Sequence, residues 1–150
     1  LSAIPTIHGV TSVGWLISIG GNISKRILIS GDTTKNVPSF NKSSLNGSLD
    51  LLIHEATFTS ELSEKAEKYG HSTALDAAKV ALDTNANTLG MVHFSPRIKD
   101  IEVLENEARK LHLRSMACQD GDIFRIKNDD KIILMRKNKN SWFEHDSQRT

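Results

Sequence analysis

SLDLLIHEATF, residues 48–58, decides how the chain is read. Leu49, Leu51, Leu52 and Ile53 form an apolar run of the kind that makes a strand packed on both faces. The run turns polar at His54 and Glu55. Backbone hydrogen bonds hold the end of a strand rigidly, so an imidazole and a carboxylate delivered there can be placed closely enough for chemistry.

The same transition occurs twice more. Residues 26–30 (RILIS) run into Gly31-Asp32-Thr33, and residues 89–92 (LGMV) run into His93. In open α/β sheets, sites form at the carboxyl ends of strands. Upstream, residues 13–19 (VGWLISI) read as a strand joined to RILIS through the GGN turn at residues 20–22, giving a hairpin. Residues 31–48 are rich in Gly, Ser, Asn and Thr and read as mostly loop.

Downstream, residues 61–69 read as a charged helix stopped by Gly70. HSTALDAAKVALD, residues 71–83, starts a second helix that Ser72 or Thr73 can cap, and Thr73 with Asp76 fits a capping box. Leu75, Ala78 and Leu82 share one face of it. Ile101, Leu104, Ala108 and Leu111 give a third amphipathic helix. Residues 113–118, 122–126 and 131–135 read as short strands, with QDGD turning between the first two. The expected division is a domain over residues 1–136 and a frayed polar tail over 137–150. Strands alternating with helices argue for an α/β architecture.

The chain has 150 residues, enough for one domain or part of one. Its net charge of +1 gives no global electrostatic case for a polyanionic partner. One cysteine, Cys118, allows no internal disulfide and suits a reducing compartment, so a cytoplasmic protein is expected. No apolar run approaches the roughly 20 residues of a membrane helix, and no membrane partner is expected. The chain begins at Leu1 and enters strand-like sequence almost at once, so the amino-terminal part of a larger domain is expected to precede it.

Histidine and carboxylate together are ligands for a borderline metal such as zinc. A carboxylate can bridge two such ions, and a pair roughly 3.5–4 Å apart can activate water and hold both oxygens of a displacement at phosphorus. His8, Asp32 and His93 can contribute to such a site, but three residues do not fill two coordination spheres. Each also admits a structural role. Asp32 can fix a turn through its own backbone. His93 can belong to a capped loop, His54 to a hydrogen bond in the core, and His71 to the surface before a helix. His112 lies late in a helix, near its negative end.

SGDT, LLIHEATF, GHST and VHFSPR, in that order, resemble the carboxy-terminal half of the ribonuclease Z family of tRNA 3′-processing enzymes. That family has the metallo-β-lactamase fold. IHGVTSVGWLI, residues 7–17, is similar to the family segment that supplies a lone metal-binding histidine and then a Gly-aromatic pair. The resemblance covers about residues 4–126.

It implies an αββα sandwich of which this chain is mainly the second half. It also implies zinc, two ions in the complete enzyme, with His8 on the first, Asp32 bridging and His93 on the second. His71 would protonate the leaving 3′ oxygen, with Glu55 orienting its ring. Arg97, Ser72 and Thr73 would contact RNA phosphates. The implied substrate is precursor tRNA or another phosphodiester, and the implied assembly is a homodimer. The family's H-x-H-x-D-H motif is absent from these residues and belongs upstream of His8, so this fragment alone is expected to be inactive. Only a hairpin joins His8 to Asp32, leaving no room for the tRNA-gripping arm that many members carry there. A small-molecule phosphodiesterase or ester hydrolase, or an inactive half-domain with a binding role, are the alternatives. An exposed half sandwich is expected to self-associate.

Overall fold

A computed structural model describes residues 1–21, 24–127 and 131–145. Its larger sheet has six strands in the order β1-β2-β3-β4-β5-β6: Ser2–Pro5, Val13–Ile19, Lys25–Ile29, Leu51–Glu55, Thr88–Val92 and Ser115–Ala117. The first three pair antiparallel and the last four are parallel. The expected hairpin is β2 and β3, with Trp15 opposite Ile29. Asn22 of the expected turn lies outside the described residues.

The core lies on one face of this sheet. Leu28, Leu52, Leu89 and Met91 pack there with the helices α2 (Ala74–Asp83) and α3 (Glu102–Arg109). A capping box starts α2: the Asp76 N–H donates to the Thr73 hydroxyl, and Thr73 N–H donates to the Asp76 carboxylate. The buried face of α2 differs from the expected one. Ala74, Ala77, Ala78 and Ala81 meet the core, while Leu82 is exposed and Leu75 half-buried. Small side chains let the helix lie close on the sheet and leave the leucines at its edges. Leu111 likewise lies beyond the end of α3 and is exposed.

The charged stretch after β4 forms a 3₁₀ turn, Ser60–Leu62, and a short helix α1, Ser63–Lys68. The Gly- and Ser-rich stretch before β4 is irregular, as expected, yet it contributes Val37, Phe40 and Leu45 to the core.

A second, antiparallel sheet contains β7 (Ile123–Ile126), β8 (Ile132–Lys137) and β9 (Trp142–His145). It corrects the expectation of a frayed tail from Lys137 to His145, because Trp142–His145 pairs along β8. Residues 146–150 of that expected tail lie outside the described residues. Phe124 of β7 packs onto Gly90 of β5, where an added Cβ would stand 2.6 Å from the ring. That contact is on the side of the sheet opposite Leu89 and Met91. Further along the same side, Val13, Trp15, Ile19 and Ile29 form an exposed apolar stripe.

Candidate active site

The sheet continues through the polar end of the opening stretch: His54 and Glu55 are the last residues of β4. Alternation along a strand sends them to opposite faces. His54 turns into the core, edge-on to Phe40. Its Nδ1–H donates to the Glu55 carbonyl at 2.7 Å, and its Nε2 has no partner among the described residues. Burial pushes its pKa down, outweighing the upward pull of the Glu55 carbonyl and charge, so the ring is neutral. His54 is a core residue.

Glu55 turns the other way and is 1% exposed. Its Oε1 accepts from the Thr33 N–H at 2.9 Å and His71 Nδ1–H at 2.8 Å. Its Oε2 accepts from the Thr57 hydroxyl at 2.7 Å, the Ser72 N–H at 3.1 Å and the Thr57 N–H at 3.3 Å. Three loops are thereby tied to one carboxylate. Such a network satisfies the buried group and fixes the His71 ring in one tautomer.

The remaining polar residues collect in front of His71. His93 follows β5 with φ of +60°, a left-handed conformation that a non-glycine residue adopts only where its surroundings hold it. This bend brings its ring into stacked contact with His71, at 5.3 Å between centroids. Its Nε2 lies 3.7 Å from Asp32 Oδ2, after the β3 end. His8 stands edge-on to His71 at 4.9 Å. The His8 Nδ1–H donates to the Gly70 carbonyl at 2.8 Å, leaving Nε2 with its lone pair. Gly70, at φ of +75°, permits this approach: a Cβ there would stand 3.0 Å from His8 Nδ1.

Asp32, His71 and His93 each offer one ligand atom, all within 4.8 Å of one another. Of these, Asp32 and His93, together with His8, are donors of the kind that suit zinc and similar ions, and the hydrogen bonds behind the His8 and His93 rings are what metal-binding histidines usually have. The donor set therefore fits the implied metal in kind.

Comparison with protein-family models gave no match. Among individual proteins, ribonuclease Z of Ignicoccus hospitalis is 54% identical over 71 residues, 47% of this chain and 24% of that protein. Ribonuclease Z of Picrophilus torridus is 31% identical over 119 residues, 79% of this chain and 38% of that protein. The chain belongs to the ribonuclease Z family.

Solved structures agree. The short form of human tRNase Z matches with a TM-score of 0.56 and 36% identity, over 63% of this chain and 35% of that one. The metallo-β-lactamase fold protein YhfI of Bacillus subtilis matches with a TM-score of 0.66 and 24% identity, over 76% of this chain and 43% of that one. The second likeness concerns the fold alone. Both ribonuclease Z relatives are much longer: the chain spans about a quarter of one and under two-fifths of the other.

Of the residues singled out by the ribonuclease Z resemblance, the structure brings His8, Asp32, Glu55, His71 and His93 together. It corrects the expectation for Ser72 and Thr73. Both are buried; the Ser72 hydroxyl donates to the Thr33 carbonyl, and the Thr73 hydroxyl belongs to the α2 cap. Neither is presented to a substrate. Arg97 is exposed in the loop after His93. His112 is structural: its Nε2–H donates to the Ala86 carbonyl at 2.9 Å.

Sequence reasoning missed Thr33 and Thr57. Thr57 has a faint signal: two residues beyond Glu55 in extended chain, it returns to the same side.

Proposed function

We propose that this chain supplies the proton-handling residues and part of the metal-binding set of a zinc-dependent phosphodiesterase, an endoribonuclease that removes 3′ trailers from precursor tRNA. The observation that carries the reading is the convergence of Asp32, His71 and His93 in front of the buried Glu55. The names of the relatives support the RNA substrate.

His8 would serve the first zinc, Asp32 would bridge, and His93 would serve the second. When bound, such a pair lowers the pKa of a water and neutralises charge at phosphorus. This chain's own residues handle the leaving group. A ribose 3′ alkoxide is a poor leaving group unless protonated. Glu55 holds His71 by Nδ1, so the ring can deliver a proton from Nε2 to the 3′ oxygen as the P–O bond breaks and the oxygen from water joins phosphorus. Arg97, exposed in the loop after His93, would meet a phosphate of the substrate. A homodimer and a cytoplasmic setting complete the reading.

The test uses the protein translated from the complete reading frame. It should release 3′ trailers from precursor tRNA in a zinc-dependent reaction, faster than it hydrolyses a chromogenic phosphodiester. Preference for the chromogenic ester would instead favour the small-molecule hydrolase, which the short β2–β3 connection supports. Full activity of the 150-residue chain would overturn the assignment of further ligands to upstream residues.

A further inference from the structure

Thr57 Oγ1 stands among three groups of the site. It is 2.7 Å from Glu55 Oε2, 2.9 Å from His93 Nδ1 and 3.4 Å from His71 Nδ1. A hydroxyl has one proton to give and two lone pairs with which to receive. The direction of each bond is therefore decided by its neighbours.

Glu55 settles the first bond. Its Oε2 also faces the N–H groups of Ser72 and Thr57, and its Oε1 faces the N–H of Thr33. A carboxyl surrounded by donors acts as an acceptor, so the Thr57 proton points at Oε2. The hydroxyl then has only lone pairs for His93. Its Nδ1 must bring the proton to that contact, and Nε2 keeps a lone pair. It is Nε2 that lies towards Asp32, at 3.7 Å, beyond ordinary hydrogen-bond distance.

We propose that Thr57 is a positioning residue: its hydroxyl holds His93 in the Nδ1–H tautomer and so presents the Nε2 lone pair to a metal ion beside Asp32. The assignment of His93 as a ligand rests on the function proposed above; the tautomer does not. Glu55 thus governs both rings, His71 by direct contact and His93 through the Thr57 hydroxyl. A ligand ring with a hydrogen bond on its second nitrogen is oriented before the metal arrives. The backbone adds to this, since β5 gives way to a left-handed residue at His93 and the ring enters the site from a fixed direction.

The experiment reads ring protons directly. Long-range proton–nitrogen NMR spectra of the metal-free, labelled complete enzyme distinguish the two neutral imidazole tautomers. They are recorded well above about pH 6.5, the ordinary histidine pKa. His93 should be the Nδ1–H form in the wild type and in Thr57→Ser. In Thr57→Val, which keeps the shape and loses the hydroxyl, it should move towards the Nε2–H form. An Nε2–H ring in the wild type overturns the proposal without any variant. So does an unchanged ring in folded Thr57→Val.

In the complete enzyme, Thr57→Val should weaken zinc binding by about 10- to 100-fold, and Thr57→Ser should restore it. Equal affinity in Thr57→Val and wild type would overturn the link from tautomer to metal. A separate titration of the wild-type enzyme and His93→Ala with zinc tests whether His93 is a ligand, so failure of that reading is distinguishable.

Discussion

Glu55 and Glu105 are both buried carboxylates that hold a histidine. Glu55 Oε1 is 2.8 Å from His71 Nδ1, with the side chains 1% and 18% exposed. Glu105 Oε2 is 3.0 Å from His145 Nε2, with the side chains 8% and 20% exposed. Distance and burial do not separate the pairs; their surroundings do. Glu105 also binds Arg109 one turn along α3 and accepts from the Ala117 N–H at 2.8 Å. Next to it, Arg136 joins Asp122 to the Ala117 carbonyl. These contacts tie α3 and β6 to the second sheet. Around Glu55, the bonds come from backbone N–H groups, one hydroxyl and His71, and the ring stands with His93 and Asp32. The Glu105–His145 pair is a clamp between elements; the Glu55–His71 pair leaves an imidazole nitrogen for chemistry.

Removing each histidine should break the likeness most clearly. In the complete enzyme, His71→Ala should lower kcat by about 10²- to 10⁴-fold, the usual size of a general-acid contribution. KM and zinc content should change little. A loss of zinc in His71→Ala would make the residue a ligand, and a loss confined to KM would remove it from the chemistry. His145→Ala should leave kcat within about twofold, because it touches none of the reacting groups.

The clamp should show in stability instead. Burial pushes the Glu105 pKa up, but hydrogen bonds from His145 and the Ala117 N–H, with the charges of His145 and Arg109, outweigh it and hold the carboxyl below its usual range. A group lowered on folding contributes above its unfolded pKa, about 4.3 for Glu, and loses that contribution as pH falls through the folded value. Glu105→Gln should therefore cost about 2 kcal/mol in denaturant melts near pH 7. The difference from wild type should shrink as the pH drops below 4.3. A difference that persists unchanged at the acid end would mean that packing, not charge, sets it. Cys118 nearby has its thiol pushed up to about 12, chiefly by burial and then by the Asp122 charge, so it should resist alkylation in the folded chain.

The two regions were unequally legible in the sequence. β2 and its hairpin follow from local alternation and a glycine turn, and the α2 cap follows from residues three apart. The ends of RILIS, LDLLI and LGMV pointed to Asp32, Glu55 and His93, and the ribonuclease Z resemblance joined them to His8 and His71. Thr57 stayed hidden because a threonine near a strand fits ordinary β preference, and its role depends on His93, 36 residues away. His145 carried no signal at all: its partner lies 40 residues upstream on another element. The face of α2 was misread for a related reason. Periodicity names the residues that share a side, but the distance between helix and sheet decides whether alanines or leucines fill it.

The smallest effect sharpens the comparison at the backbone. His93 holds φ of +60°, where a side chain with a Cβ is strained by about 1 kcal/mol, while His145 lies in the β9 strand, where glycine is the costlier residue. Stability should therefore rank oppositely at the two positions. His93→Gly should be more stable than His93→Ala by about 1 kcal/mol, and His145→Gly less stable than His145→Ala by about 0.5–1 kcal/mol. Chemical denaturation of the four variants measures both differences with the imidazole absent in every case, so metal binding and ion pairing cancel. If His93→Ala equals or exceeds His93→Gly, the left-handed turn is not imposed by the fold around it. The direction from which His93 enters the site would then come from its own ring contacts with Thr57 and His71, and the backbone would contribute nothing to its placement.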